Sequence, residues 1–445
     1  MALGLNYRKL WAASAISNLG DGVRLTALPL LAATLTRDPV SVAMVTLAAS
    51  LPWLLFALVA GAIADRTDRK RLMVGANGFR ALVVGLLGLA ILGGFESLLL
   101  LIVVSFALGV AETLFDNAAQ AFMPALVVRD ELERANGRLY AVEMVTNQFV
   151  GPPVGGVLYA MAAGLPFLLD AGSFAGSAFL VALIAVPRRV VERHSGGSRP
   201  SLRAEIAEGM RWLWSHRLLR TLAVMLGIMN MLTSAFYAIF VLFALEILNV
   251  DESQFGLLLV TFAVGAVLGS LLGARVSNAL GPGTALFVSV LLSGLSTLVT
   301  GLVSSPWIAS ILFAISGFVG VLWNVITVSL RQSIIPDHLL GRVNSVYRFV
   351  GWGTMPVGAT IGGVLARVFG LRAPFLVAGV VMTVMAFVAL PIVTTRSIEA
   401  AKSHGADATG SGGAPLVAAL PTDTHVAQPG GGGGEGVEGI TAVDE

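Results

Sequence analysis

Two pairs of ionisable residues stand inside apolar stretches of this chain, where charged side chains are costly. Asp21 and Arg24 lie three residues apart, and Glu112 and Asp116 lie four apart in a second stretch. Both spacings place the paired side chains on one face of a helix. Two carboxyls one turn apart in a low dielectric favour sharing a proton, a property suited to proton uptake and release. We therefore predict the proton-coupling residues among Asp21, Arg24, Glu112 and Asp116.

Simpler interpretations of these residues stay open. Asp21 and Arg24 would also make a neutral structural pair, and Asp116 would also bond loop arginines at the end of its helix. Of the other charged residues in apolar stretches, we expect Asp170 and Glu143 to be structural or gating groups. We expect Arg80 to extend its long side chain to the nearer membrane surface.

The elements that must position these residues are membrane-spanning helices. The chain has 445 residues, of which 56% are hydrophobic and 12% charged, whereas about a quarter of residues are charged in soluble domains. A spanning helix needs about 20 mostly apolar residues. The sequence predicts an all-α integral membrane protein with twelve such helices, over 10–35, 40–64, 73–94, 97–123, 138–163, 166–187, 219–247, 252–275, 284–303, 306–331, 341–365 and 371–393.

The basic residues predict the orientation of these helices. Of 28 Lys and Arg, only Arg37, Arg367 and Arg372 fall on the connections of one side, apart from Arg24 within the first span. Cytoplasmic loops carry the excess of basic residues. We therefore expect a multi-pass protein of the cell (inner or plasma) membrane, embedded in the lipid bilayer, with both termini in the cytoplasm.

Internal repeats divide the chain into two halves. The sequence Pro-Phe-Leu at 166–168 recurs at 374–376, and Gly-Gly-Val-Leu at 155–158 recurs at 362–365. The repeats predict two pseudo-symmetric six-helix bundles, 1–187 and 219–395, which would rock about a central site. The linker 188–218 contains an amphipathic helix expected in the membrane interface, with Leu202, Ile206, Met210, Leu213 and Trp214 on its apolar face. The tail 396–445 has a composition typical of disorder.

A motif between the second and third spans is the first of two that resemble a known family. GAIADRTDRKRLM, residues 61–73, resembles the signature loop of the major facilitator superfamily. An ordinary positive-inside anchor would need the basic residues but neither Gly61 nor Asp65. The resemblance implies the major facilitator fold. It also implies a cytoplasmic latch in which Asp65 pairs with loop arginines and with the eleventh helix, formed by Gly61, Asp65, Arg66, Arg69 and Lys70.

The second motif lies in the fifth span. Gly151, Pro152, Gly155 and Gly156 match the antiporter motif G-P-x-x-G-G of exporters in this superfamily. Proline bends a helix and glycine lets another helix approach closely. The alternative is generic transmembrane packing, in which glycine and proline are common. The position in the fifth span favours an exporter over an importer.

Further pieces of sequence resemble a narrower branch of the superfamily. SNLGDG, ETLFDNAAQAFMPALV and PFLLDAGSF are similar to the branch of enterobactin exporters, macrolide efflux proteins and related transmembrane secretion effectors, and the resemblance extends over residues 5–395. The R-x-x-Q-G motif of drug–proton antiporters is missing from span four, so their coupling residues are not transferred here. The resemblance implies a cavity between spans 1, 4, 7 and 10, with candidate lining residues Phe115, Asn230, Phe236, Tyr237, Trp323 and Asn324.

These features predict a secondary active efflux transporter. We expect it to be a proton-coupled antiporter of a hydrophobic or amphipathic small molecule such as a drug or siderophore. The alternatives are a proton-coupled uptake symporter and a non-transporting receptor or scaffold. We expect no enzyme, because no catalytic constellation is present, and no cofactor or nucleic-acid partner. The five histidines show no metal-ligand spacing. The expected partners are the small-molecule substrate, protons and the lipid bilayer, and the expected state is a monomer.

Overall fold

The computed structural model describes residues 4–128, 131–185 and 202–401, which form helices joined by short connections. A π-helical segment, Met144–Val150, links two of them. The helices are α1 (Leu5–Leu35), α2 (Pro39–Arg66), α3 (Arg69–Leu92), α4 (Leu98–Phe122), α5 (Leu132–Glu143), α6 (Gly151–Met161), α7 (Leu165–Ala182), α8 (Leu202–Ser215), α9 (Arg217–Tyr237), α10 (Phe240–Glu246), α11 (Glu252–Leu280), α12 (Pro282–Leu302), α13 (Pro306–Ile334), α14 (Asp337–Gly353), α15 (Met355–Phe369) and α16 (Ala373–Ala389).

The predicted spans coincide with helices of the structure. Nine segments among the described residues are long and apolar enough to cross a membrane. The helix α1 is not one of them, and it carries the ionisable residues Asp21 and Arg24. Three predicted spans consist of consecutive helical segments: the fifth (α5, the π-helical segment and α6), the seventh (α9 and α10) and the eleventh (α14 and α15).

Local sequence signals set several helix starts. The Asp38 carboxylate caps α2 by accepting from the Ser41 amide at 3.1 Å. Asp68 caps α3 and Ser97 caps α4 in the same manner. Such caps satisfy backbone donors that the first turn of a helix leaves free. Capping residues in the sequence therefore determine where these three helices begin.

The two halves repeat one packing arrangement. On α6, a side chain at Gly151 or Gly155 would collide with the backbone of α1 at Gly22 and Val23. On α15, Gly358 and Gly362 lie in the same way against the backbone of α9, at Met231 and Ala235. The corresponding glycines are 207 residues apart, the offset of the sequence repeat. The pseudo-symmetry read from the sequence thus appears as matched helix crossings.

The hydrophobic core differs between the two ends of the molecule. We call the end where α1 passes into α2 (36–38) the hairpin end, and the end where α2 passes into α3 (67–68) the linker end. One buried cluster on the hairpin side draws residues from both halves, Leu31, Phe174, Phe240 and Phe375 among them. Towards the linker end there are two buried clusters, and each consists of residues of one half only. The described core therefore joins the halves at the hairpin end and separates towards the linker end.

The helix α8 packs onto the second half. Leu213 is completely buried in the core of that half, and Met210 packs beside it. Arg342 of α14 donates to Glu208 at 2.5 Å, and the Arg342 backbone lies against Gly209. Trp214 is exposed, so it does not share the buried face of Leu213. The side chains of Leu202 and Ile206, and the linker and tail residues 186–201 and 402–445, lie outside the described part of the structure.

Candidate functional site

A polar cavity of about 380 Å³ opens in the first half of the protein. Its walls come from α1, α3, α4, α5 and the π-helical segment. All four predicted proton-coupling residues line it. The lining residues are Ser14, Ser17, Asn18, Asp21, Arg24, Leu25, Arg80, Glu112, Phe115, Asp116, Glu143, Asn147 and Gln148.

Asp21 lies at the centre of the charged residues. Its carboxylate accepts from Arg24 one turn along α1 and from the Arg80 guanidinium of α3, the latter at 2.7 Å. Arg24 also donates through Nε to Asp170 of α7 at 3.0 Å. Two guanidiniums therefore share two aspartates across three helices, and their charges cancel.

One face of α7 holds this network in place. Asp170 is fully buried and fixes Arg24, while the Phe174 ring lies 3.9 Å below the Arg80 guanidinium carbon. Ser177 accepts from Asn77 at 3.0 Å, next to Arg80 on α3. Gly20 of α1 makes room for Asp170, because a side chain there would collide with that carboxylate. The network is thus built into the packing of α1, α3 and α7.

The structure corrects the expectation for Arg80. We predicted that this side chain reaches the membrane surface, but only 2% of it is exposed. Arg80 is the twelfth residue of α3, so it lies half-way along the helix. The carboxylate of Asp21 and the face of Phe174 give it a buried environment that compensates a charge. Arg80 stands alone in the apolar part of α3, and the sequence gave no indication of its partners on other helices.

Three further carboxyls line the cavity and form no described ion pair. They are Glu112 and Asp116 of α4 and Glu143 of α5. Among the described residues, the ion pairs of Arg24 and Arg80 are formed with Asp21 and Asp170 alone. The cavity therefore carries an excess of acidic groups over basic ones.

The predicted substrate-cavity residues are placed in different surroundings. Phe115 lines the cavity, whereas Asn230 donates its amide to Gly351 of α14 at 2.9 Å. Phe236 is buried against Phe375, and Tyr237 packs on both Phe236 and Phe240. Trp323 is buried in the second half, and Asn324 is exposed. Apart from Phe115, these residues do not line the cavity described here, and their contact with substrate remains a prediction.

The predicted cytoplasmic latch is described only in part. Gly61, Asp65 and Arg66 belong to α2, but their side chains lie outside the described part of the structure. Lys70 donates to the backbone oxygen of Ile184 at 2.8 Å, just beyond α7. A lysine at this place stabilises the carboxyl end of a helix. Arg69 lies beside it in the first turn of α3.

The glycines of the antiporter-like motif contact two helices. Gly151 and Gly155 meet α1, whereas Gly156 meets the backbone of Glu252 and Ser253 in α11. The backbone oxygen of Pro152 lies against Gly256 of α11. The motif therefore joins the first half to the second towards the hairpin end.

We expect Gly155→Ala to lower both the abundance and the melting temperature of the protein. The added methyl would meet the Val23 backbone, which cannot move like a side chain, and overpacking of this kind costs about 1–3 kcal/mol. Gly172→Ala on α7 is the matched control, because nothing lies within 4 Å of the added atom. Fluorescence-detected gel filtration after heating measures both. Equal melting temperatures for the two variants would contradict this packing.

Two ion pairs and a glycine contact complete the closure at the hairpin end. Arg37 lies 3.6 Å from Glu246, and Arg367 lies 3.4 Å from Asp38. The Ser41 hydroxyl donates to Asp38, and this bond more than Arg367 lowers the pKa of that carboxyl from its ordinary 3.8. Gly363 of α15 packs on the Val40 backbone of α2. We call this set of contacts, with those of Gly156 and Gly256, the hairpin-end seam.

Comparison with known proteins now identifies the family. The model of the family described as transmembrane secretion effector matches residues 5–419. The chain belongs to the transmembrane secretion effector family. Among its members, the multidrug efflux pump Tap of Mycolicibacterium fortuitum is 27% identical, covering 87% of this chain and 96% of that protein. Macrolide efflux protein A of Streptococcus pyogenes is 23% identical, covering 89% and 98%.

The enterobactin exporter EntS of Citrobacter koseri is a further relative, 27% identical over 80% of this chain and 84% of its own length. The predicted branch of the superfamily is therefore confirmed. This member of the transmembrane secretion effector family is an efflux transporter of the major facilitator type, embedded in the membrane.

Solved structures confirm the fold. A bacterial homologue of the iron transporter ferroportin, in an inward-facing state, superposes with a TM-score of 0.68 at 17% identity, covering 88% of this chain and all of that one. The nucleoside transporter NupG superposes with a TM-score of 0.67 at 12% identity, also covering 88% and 100%. At these identities the likeness shows the major facilitator fold alone.

Proposed function

We propose that this protein is a proton-coupled antiporter that exports a hydrophobic or amphipathic small molecule from the cytoplasm. The observation that carries the proposal is the cavity lined by Glu112, Asp116 and Glu143, three carboxyls that form no ion pair among the described residues. Acidic residues inside the membrane cost free energy, so their presence indicates a functional site. Proton relays are among the functions that such residues serve in transporters. The relatives named as efflux proteins supply the direction of transport.

Charge balance selects the residues that carry the proton. Protonating Asp21 would leave Arg80, which is almost fully buried, without a carboxylate. Protonating Glu112 or Asp116 breaks no described ion pair and removes one of two neighbouring negative charges. Glu112 and Asp116 therefore take up the proton in this mechanism, while Asp21 stays paired. Asp170 keeps Arg24 in position.

The separation of the core supports an alternating-access cycle. The halves are joined at the hairpin-end seam and separate towards the linker end. In our proposal the linker end and both termini face the cytoplasm, as the basic residues predict. Substrate enters the cavity from that side and displaces a proton. Opening of the seam then exposes the same carboxyls to the outside, where they exchange substrate for a new proton.

We expect export to stop when the proton gradient is dissipated and to continue when ATP alone is depleted. The reason is that proton binding to Glu112 or Asp116 is the step that returns the empty transporter. Efflux of a fluorescent drug from cells expressing the protein, measured with a protonophore and with ATP monitored separately, tests this. Cells with an empty vector provide the background.

Export that survives loss of the proton gradient would refute the coupling. If the proton gradient drives accumulation of the drug in the cells instead of its export, the uptake symporter would be favoured. Proteoliposomes in which substrate produces no proton movement and no substrate movement would favour a receptor or scaffold.

A further inference from the structure

Within the predicted spans of the second half of the protein, acidic residues fall only at the ends, at Glu246 and Glu252. The helices of the second half contain no Asp, Glu, Lys or Arg over 221–245, 253–274, 276–330, 349–366 and 373–395. In the first half, Asp21, Arg24, Arg80, Glu112, Asp116 and Asp170 all lie within helices that predicted spans cover. The carboxyls in the interior of the predicted spans therefore come from the first half.

The described ion pairs bear on which sign of charge the cavity favours. Arg24 and Arg80 are already paired with Asp21 and Asp170, so an anion would have to compete with these two carboxylates for the guanidiniums. Glu112, Asp116 and Glu143 line the same cavity and form no described ion pair. The acidic groups outnumber the basic ones, so the cavity favours a positive group over a negative one.

The dimensions and the apolar wall of the cavity limit the rest of the ligand. Its volume of about 380 Å³ lies at the lower end of the roughly 300–1,000 Å³ common for small-molecule sites. Phe115 and Leu25 line the cavity together with the charged residues, so apolar side chains share its wall. An aromatic ring beside carboxylates is a favourable surface for an organic cation.

We propose that the substrate is an amphipathic organic cation, whose positive group binds at Glu112, Asp116 and Glu143 while its apolar body packs on Phe115 and Leu25. This inference rests on the proposed function and narrows its substrate class. Cation and proton then occupy the same carboxyls in turn. Exchange of one monovalent cation for one proton moves one positive charge in each direction, so the cycle carries no net charge.

Tetraphenylphosphonium is a suitable probe, because it is a hydrophobic cation that does not titrate. Any pH dependence of its binding belongs to the protein. We expect purified protein in nanodiscs to bind radiolabelled tetraphenylphosphonium at about pH 8 and to lose about tenfold in affinity at about pH 6, because protons compete with the cation for the same carboxyls. Glu112→Gln and Asp116→Asn should each weaken binding at the higher pH and flatten its pH dependence. Glu399→Gln, at an exposed position near the linker end, is the control.

Tetraphenylborate, an anion of the same shape, provides the opposite test. Saturable tetraphenylborate binding in the cavity, or tetraphenylphosphonium binding that is absent or unaffected by pH and by both variants, would overturn the inference. If Glu112→Gln does not yield folded protein, Asp116→Asn gives the result. Proton-driven efflux of a neutral drug without cation binding would refute this inference and leave the proposed function standing. Cation binding that competes with protons, without proton-driven transport, would support the cation site and refute the proposed function.

Discussion

Glu112→Gln is expected to reduce uphill export to the background of cells that lack the protein, at unchanged membrane abundance. Glutamine keeps the shape of the side chain but cannot take up or release a proton. No described ion pair is broken, because the arginines of the cavity bind Asp21 and Asp170. Downhill movement of a neutral substrate should persist, since it requires no net proton release. Uptake into inside-out vesicles, with and without an imposed pH gradient, separates the two activities.

The exposed Glu399→Gln serves as the control for this experiment as well. Uphill transport by Glu112→Gln at the rate of the unchanged protein would exclude Glu112 as the coupling residue. Asp116, one turn further along α4 on the same cavity wall, is then the next candidate, and Asp116→Asn is tested in the same vesicles.

Asp21→Asn is expected to cause the largest loss of stability among substitutions in the cavity. If Asp21 and Arg24 formed an isolated neutral pair, this change would leave Arg24 unpaired, but Arg24 retains Asp170 at 3.0 Å. The residue left without a carboxylate is Arg80, which is only 2% exposed. Leaving a buried charge without its partner costs about 3–5 kcal/mol. We expect a lower melting temperature and little protein in the membrane.

A double substitution distinguishes this explanation from a loss of proton coupling. Asp21→Asn with Arg80→Met removes both buried charges and should recover much of the melting temperature, without recovering transport. The comparison of single and double variants measures the interaction between the two positions. A double variant no more stable than Asp21→Asn would show that Arg80 is not the residue destabilised by the change.

The architecture followed from the sequence because its signals are local. Apolar stretches of spanning length depend only on residues close in the chain, and the Gly155–Gly156 pair recurs as the same two residues at Gly362 and Gly363. Constant offset between repeats also predicted the two halves. The breaks at Met144–Val150 and Thr354 were not predicted, because hydropathy continues through them.

The site was predicted less completely for a physical reason. Asp21 with Arg24, and Glu112 with Asp116, are neighbours on one helix, so their spacing placed them together. The contacts of Arg80 with Asp21 and of Asp170 with Arg24 cross between helices. Lipid and protein interior are equally apolar, so an apolar span does not reveal its rotation. Phe236 and Trp323 were placed at the cavity by the family resemblance alone; both are buried in the structure, and their contact with substrate stays a prediction.

In the proposed orientation, the hairpin-end seam faces the outside of the cell. Its two ion pairs are largely exposed, and such pairs contribute about 0–1 kcal/mol and weaken in salt. The backbone contacts of Gly156, Gly256 and Gly363 depend on shape and respond to neither salt nor acid. The lowered pKa of Asp38 adds to this: its stabilisation is complete above 3.8 and is lost only as the pH falls through the lower value of the folded protein. With the proposed orientation, a brackish or mildly acidic exterior would therefore leave this seam closed.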